Sequence, residues 1–71
     1  MSVYAKIATK VRKMRNSRGW SQEELADRCN LHRTYISHIE NGKREISVET
    51  LCKLAKGFSI SASELIKGIK L

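Results

Sequence analysis

The chain has 71 residues, of which 41% are hydrophobic and 30% charged, and its 14 lysines and arginines against seven acids give a net charge of +7. This length allows one small domain, and the basic excess indicates a polyanionic partner, either nucleic acid or an anionic membrane surface. No segment resembles a signal peptide or reaches the roughly 20 apolar residues of a membrane span, so we expect a soluble, cytoplasmic protein.

The first predicted element is a long helix at the N-terminal end of the chain. Its apolar residues recur at spacings of four, four and three, which places them in one stripe. They are Val3, Ile7, Val11 and Met14. The same segment carries six basic residues and no acid, namely Lys6, Lys10, Arg12, Lys13, Arg15 and Arg18. These cations could flank DNA or form an ordinary solvated face, and the sequence leaves both interpretations open.

Four shorter helices follow, each opened by a hydrophobic staple, in which an apolar residue before the N-cap pairs with one four positions after the cap. The staples are Trp20-Ser21-x-x-Glu24-Leu25, Leu31-His32-x-x-Tyr35-Ile36, Ile46-Ser47-x-x-Thr50-Leu51 and Ile60-Ser61-x-x-Glu64-Leu65. Turn-forming residues fall in the gaps, at Gly19, Asn30, Gly42 and Ser59. The pattern predicts a compact all-α domain of five helices over residues 1–71. Trp20, a staple residue, is interpreted as core and not as a platform for stacked bases.

About four residues, Cys29 to His32, separate the second and third helices, and such a tight link predicts a helix-turn-helix at about 21–41. At roughly 100° per residue the third helix divides into two faces. Its polar face holds Arg33, Thr34, Ser37, His38 and Asn41 and no acid. Arginine can bond bidentately to guanine, and threonine can meet a base edge or a thymine methyl. This face predicts contact with the major groove, with a solvated surface as the alternative.

The C-terminal helix, at about 61–69, carries more apolar side chains than we expect so small a monomer to bury. They are Leu65, Ile66, Ile69 and Leu71. We therefore predict that this helix forms a homodimer interface across a two-fold axis. A dimer would hold two recognition helices about 34 Å apart and read a palindrome. Fraying of the terminus after Gly68 is the alternative.

Three runs of residues carry a family resemblance that covers about residues 5–67. They are Ser21-Gln22-Glu23-Glu24-Leu25-Ala26, then Tyr35-Ile36-Ser37-x-Ile39-Glu40-Asn41-Gly42-Lys43-Arg44, then Ser47-x-x-Thr50-Leu51-x-x-Leu54-Ala55-Lys56. They resemble the Cro/CI (XRE-type) helix-turn-helix family. The segment from Leu31 to Ser37 is similar to the controller proteins of restriction–modification systems. The resemblance implies a five-helix, lambda-repressor-like domain that binds double-stranded DNA.

The resemblance also implies roles for individual residues. It assigns base reading to Arg33, Thr34 and His38, to which the polar face adds Ser37. The implied phosphate contacts are Gln22, His32, Tyr35, Asn41, Lys43 and Arg44. His32 departs from the usual Ser or Thr N-cap, and Tyr35 could instead be a core or hinge aromatic. Glu40 is expected to form a structural ion pair with Arg15.

Catalytic and cofactor signals are weak. We find no Ser/His/Asp spacing, phosphate-binding glycine loop or zinc-ligand spacing, so we predict no enzyme and no metal or other cofactor. Cys29 and Cys52 are too few for a disulfide framework and are interpreted as small buried side chains.

Three functions remain open. The leading one is a homodimeric, sequence-specific transcription regulator on a palindromic operator, which activates or represses according to its own level, with RNA polymerase as a further candidate partner. The second is an antitoxin-type interaction module that also represses its own operon. The third is a non-specific binder of RNA or membrane, with steep salt dependence and no sequence preference. The polar recognition face favours the first over the third.

Overall fold

The computed structural model describes residues 2–70, and the described chain contains five α-helices and no strand. The helices are α1 (Val3–Ser17), α2 (Gln22–Cys29), α3 (Arg33–Asn41), α4 (Val48–Gly57) and α5 (Ala62–Ile66). The predicted all-α, five-helix architecture is therefore confirmed. In the same range no helix is both long and apolar enough to cross a bilayer.

Side-chain caps open the helices at the predicted serines and also at Ser2, for which the sequence analysis made no prediction. The hydroxyls of Ser2, Ser21, Ser47 and Ser61 each accept a hydrogen bond from the backbone N–H three residues later. At Ser61 the carboxylate of Glu64 also returns to the cap backbone, at 3.2 Å, which completes a capping box. These bonds satisfy N–H groups that a helix start otherwise leaves without a partner.

The apolar stripes of the helices meet in one core. Its largest fully buried side chains are Val11, Leu25, Ile36, Leu54, Phe58 and Leu65. Trp20 lies at the edge of this core, stacked on Phe58 with ring centroids 5.7 Å apart, and the guanidinium of Arg28 lies 4.1 Å from the Trp20 ring centre. Trp20 is thus a packing residue, as its place in a staple predicts.

Two glycines let helices approach each other closely. Gly42 follows α3 with a φ of +69°, and a Cβ there would lie 2.8 Å from the Cα of Ala5 in α1. Gly57 ends α4, and a Cβ there would lie 3.2 Å from the Cα of Cys29 in α2. Any side chain at either position would push two helices apart.

The two cysteines have different environments, and the predicted burial of Cys52 is wrong. Cys29 is buried, and this burial raises the pKa of its thiol to about 11. Cys52 is exposed. At roughly 100° per residue it lies about 200° around α4 from Thr50, which faces the core. The helical period, applied to α4, identifies it as an outward position.

The C-terminal region also departs from its prediction in two respects. Leu65 is 0% exposed within the monomer, so it lies in the core and not in a dimer interface. The helix ends at Ile66 and does not reach residue 69, because Lys67 has an extended ψ of 133° and Gly68 a φ of +82°. The described surface of the predicted interface thus consists of Ile66, 42% exposed, and Ile69, partly buried. Leu71 lies outside the described residues.

Candidate nucleic-acid interface

Three residues separate α2 from α3, and local hydrogen bonds stabilise the turn that they form. Asn30 takes a left-handed conformation with φ 55° and ψ 45°, and the N–H of Leu31 donates to the carbonyl of Ala26 at 2.9 Å. His32 then caps α3, its Nδ1 accepting from the N–H of Thr34 at 3.1 Å. An imidazole therefore replaces the usual Ser or Thr as the cap of α3.

The first turn of α3 forms one wall of a shallow cleft against the start of α2. Arg33 and Thr34 are exposed, whereas Ser37 and His38 are partly buried. The side chains that line the cleft are Gln22, His32, Arg33, Thr34, Ser37 and His38. The structure thus brings together all four predicted base readers and two predicted phosphate contacts. The lining contains no acid, so the cleft offers hydrogen-bond donors to base edges and phosphates.

A second cleft adjoins the first on the α2 side. It is lined by Arg15, Ser21, Gln22, Glu23 and Arg33, so that Arg33 and Gln22 border both clefts. The carboxylate of Glu23 is a feature that sequence reasoning did not single out. Its position at the first turn of α2 was the available signal, because an acid there is near the partly positive helix start.

Glu40, on the opposite edge of α3, is buried, and both of its carboxylate oxygens accept hydrogen bonds. It is 4% exposed, and the Nε and Nη2 of Arg15 donate to its two carboxylate oxygens at 2.7 and 3.0 Å. Gln22 Nε2 adds a bond of 3.2 Å to Oε1, and Arg12 donates to the backbone carbonyl of Glu40. The bond to Glu40 raises the pKa of Arg15 against the lowering effect of burial. The acid is therefore neutralised by protein contacts and does not face the cleft.

Gln22 has a defined role in this network. Its amide nitrogen braces Glu40 in α3, while the side chain, which is partly buried, also borders the cleft. The bond ties the start of α2 to the last turn of α3. Its predicted phosphate contact stays a prediction.

Tyr35 connects α3 to α4. Its hydroxyl lies 3.3 Å from Oγ1 of Thr50, and the hydroxyl of Ser47 donates to the same oxygen at 3.1 Å. Tyr35 is partly buried against the core, which supports the hinge interpretation that the sequence left open. Sequence reasoning gave Ser47 and Thr50 only a capping role. Their contact with Tyr35 is long-range and leaves no local signal.

Two arginines, one in α1 and one at its C-cap, bind backbone carbonyls of other parts of the fold, which are contacts that the sequence did not predict. Arg12 donates to the carbonyl of Glu40 near the end of α3, and Arg18 Nη2 donates to the carbonyl of Phe58 after α4, at 3.1 Å. Carbonyls at helix ends lack intrahelical partners and carry partial negative charge. These two cations therefore help to hold helix ends in place, while contact of α1 with DNA stays a prediction.

The loop after α3 supplies further predicted contacts. Asn41, Lys43 and Arg44 are exposed. They follow the anchored Glu40 directly, so their backbone leaves a fixed point on the fold. Two cations and an amide in this position suit phosphate oxygens on either side of a groove.

Comparison with known proteins places these features in context. A helix-turn-helix family matches residues 11–65. The control protein C.BamHI of Bacillus amyloliquefaciens is 45% identical over 58 residues, which cover 80% of this chain and 72% of the relative. The crystal structure of the restriction-modification controller protein C.AhdI from Aeromonas hydrophila covers 87% of this chain and 94% of its own, with a TM-score of 0.82 and 35% identity. The controller protein C.Esp1396I, solved as a tetramer with its natural 35 base-pair operator, covers 97% of this chain and 91% of its own, with a TM-score of 0.87 and 32% identity.

Proposed function

The chain belongs to the XRE-type (Cro/CI) helix-turn-helix family, and from that membership we propose that it is a sequence-specific transcriptional regulator that binds a palindromic operator as a homodimer. The observation that carries this function is the cleft at the start of α3. There Arg33 and Thr34 are exposed beside four other polar side chains, and no acid contributes to the lining.

The assignment of residues to roles follows from their exposure and position. Arg33 and Thr34 read base edges in the major groove, and Ser37 and His38 extend the contact by one turn of α3. Phosphates are held by His32 and Gln22 on one side and by the loop after α3 on the other. Tyr35 approaches the backbone from its position beside Thr50.

The homodimer is proposed to form through the surface at α5, where Ile66 is exposed. The operator complex of C.Esp1396I, which contains a tetramer of that protein, supports assembly on DNA. C.AhdI is a restriction-modification controller protein and C.BamHI a control protein, and this similarity favours autoregulation over the antitoxin alternative. Such a regulator acts in the cytoplasm on operator DNA, with RNA polymerase as a candidate partner, and its function requires no catalytic step and no cofactor.

The test is selection of bound duplexes from a random DNA pool at physiological salt. We expect enrichment of a palindrome whose half-sites are centred about one helical turn apart. The matched control is the double variant Arg33→Ala/Thr34→Ala, which should stay folded and dimeric but lose the enriched motif. An unenriched pool with the unchanged protein, at a concentration where the duplexes are bound, would contradict sequence reading and redirect the search to protein partners.

A further inference from the structure

Two lysines of α1 bind the C-terminal segment. Lys10 Nζ donates to the backbone carbonyls of Glu64 and Lys67, both at 2.9 Å. Lys6 Nζ donates to the carbonyl of Lys70. Residues four apart lie on the same side of a helix, so the two ammonium groups form one row along α1. Both side chains are partly buried, so their stems lie against the protein.

The segment they bind has little structure of its own. Helix α5 has five residues, and an isolated helix of that length is unstable in water. Beyond the helix, its last carbonyls accept only single backbone bonds, from the N–H of Lys67 to Glu64 at 3.3 Å and from the N–H of Ile69 to Ile66 at 3.1 Å. The helical ladder stops there because Lys67 and Gly68 leave the helical conformation. A lysine directed at the end of a helix supplies both a donor and a favourable charge. The row of lysines therefore supports the helix that carries Ile66.

The opposite edge of α1 holds the recognition helix. If Lys6 is set at zero on a wheel of roughly 100° per residue, Lys10 lies near 40°, whereas Arg15 and Arg12 lie near 180° and 240°. Arg12 and Arg15 both bind Glu40 at the end of α3. Helix α1, which has 15 residues, thus forms hydrogen bonds with α3 along one edge and with the C-terminal segment along the other.

We propose that Lys10, assisted by Lys6, is a positioning residue that fixes the dimer surface relative to the recognition helix, and thereby sets the half-site spacing that the dimer accepts. This inference rests on the proposed function, since it assumes a dimer formed at α5. It assigns to Lys10 a role in assembly and none in phosphate binding. The mechanism is geometric, because a displaced α5 rotates one recognition helix with respect to the other.

The test compares Lys10→Met with Lys13→Met, which removes the same charge from an exposed position of the same helix. Dimerisation is measured by sedimentation without DNA, and binding is measured by fluorescence anisotropy on palindromes whose half-site spacing differs by one base pair. For Lys10→Met we expect a dimer dissociation constant about 3- to 10-fold higher and a weaker preference among spacings. Lys13→Met should match the unchanged protein in both, and Lys10→Arg should restore both, because a guanidinium can reach the same carbonyls.

The salt dependence separates positioning from phosphate contact. Loss of a phosphate contact lowers the slope of log binding constant against log salt by about one per contact. We expect the slopes of Lys10→Met and Lys13→Met to be equal. A smaller slope for Lys10→Met alone, or a dimer constant and spacing preference equal to those of Lys13→Met, would overturn the proposal. The sedimentation arm needs no DNA, so its result is independent of operator selection. A protein that selects no operator would refute the proposed function and the role of Lys10 in half-site spacing, whereas a raised dimer constant for Lys10→Met would still establish its role in assembly.

Discussion

The two ends of α3 differ in how firmly the fold holds them. At the first turn, Arg33 and Thr34 are exposed, and the cap from His32 holds their backbone. At the last turn, Glu40 is 4% exposed and bonded to α1 and α2, and Gly42 lies directly against α1. The protein thus separates the part of the helix that we propose to read DNA from the part that fixes the position of the helix.

This division has a thermodynamic consequence. Exposed side chains can be replaced with changes in stability usually within about 0.5 kcal/mol, whereas removal of one member of a buried ion pair strands the other charge. We therefore expect variants at the last turn of α3 to lose stability, and variants at the first turn to lose sequence preference in DNA binding. Four experiments probe that separation, in order of decreasing expected effect.

Glu40→Ala tests the anchored end most directly. It leaves Arg15, whose side chain is 15% exposed, without its carboxylate, and Gln22 without its acceptor. We expect the free energy of unfolding to fall by about 3 kcal/mol, as measured by urea denaturation. Glu40→Gln keeps an acceptor oxygen and should lose less. A melting temperature equal to that of the unchanged protein would show that the pair does not hold α3.

Gly42→Ala tests the close approach of the same end to α1. The added Cβ would meet the Cα of Ala5 at 2.8 Å, in addition to the cost of a positive φ. We expect a loss of about 2 kcal/mol in the free energy of unfolding. Gly19→Ala is the matched control, since Gly19 has the same φ of +69° but no neighbouring atom within 4 Å of the place that a Cβ would occupy. Equal losses for the two variants would mean that contact with Ala5 contributes nothing.

Arg33→Ala tests the reading end. We expect it to weaken binding to the preferred duplex by about 1–3 kcal/mol and to relax the preference at one base pair, with no change in melting temperature. Lys43→Ala, in the loop after α3, should weaken all duplexes alike and lower the salt slope by about one. Anisotropy titrations on matched and mismatched duplexes distinguish the two patterns. If Arg33→Ala behaved like Lys43→Ala, Arg33 would be a phosphate contact.

His32→Ala tests the cap that joins the turn to the reading end. Loss of the Nδ1 acceptor for the N–H of Thr34 should cost about 1 kcal/mol of stability, seen as a small fall in melting temperature. His32→Asn keeps a capping oxygen and should melt close to the unchanged protein. If both variants melted alike and below the unchanged protein, the imidazole would stabilise α3 by some means other than capping.

The sequence by itself determined the helices and the polar face of α3 that we propose to read DNA. Three signals act within a few residues and can therefore be recognised from the sequence alone. They are the helical period, the N-caps such as Ser21 and Ser61, and the hydrophobic staples beside those caps. The polar face of α3 follows from the same period, and the relatives' identity confirms the family that the motifs indicated. The exposure of Cys52 could also have been predicted from the sequence, because the helical period places this residue on the outward side of α4.

Only the tertiary structure decided where the long side chains and the C-terminal apolar residues go. Leu65 belongs to the core, whereas its neighbour Ile66 is exposed, a division set by how α5 packs on α4. Lys10 binds the carbonyl of a residue 54 positions further along the chain, and Arg18 binds one 40 positions further along. The hydroxyl of Tyr35 lies within hydrogen-bonding distance of the hydroxyl of Thr50. A flexible side chain can reach many partners, and which one it binds depends on backbone ends that only the packed helices bring within hydrogen-bonding distance.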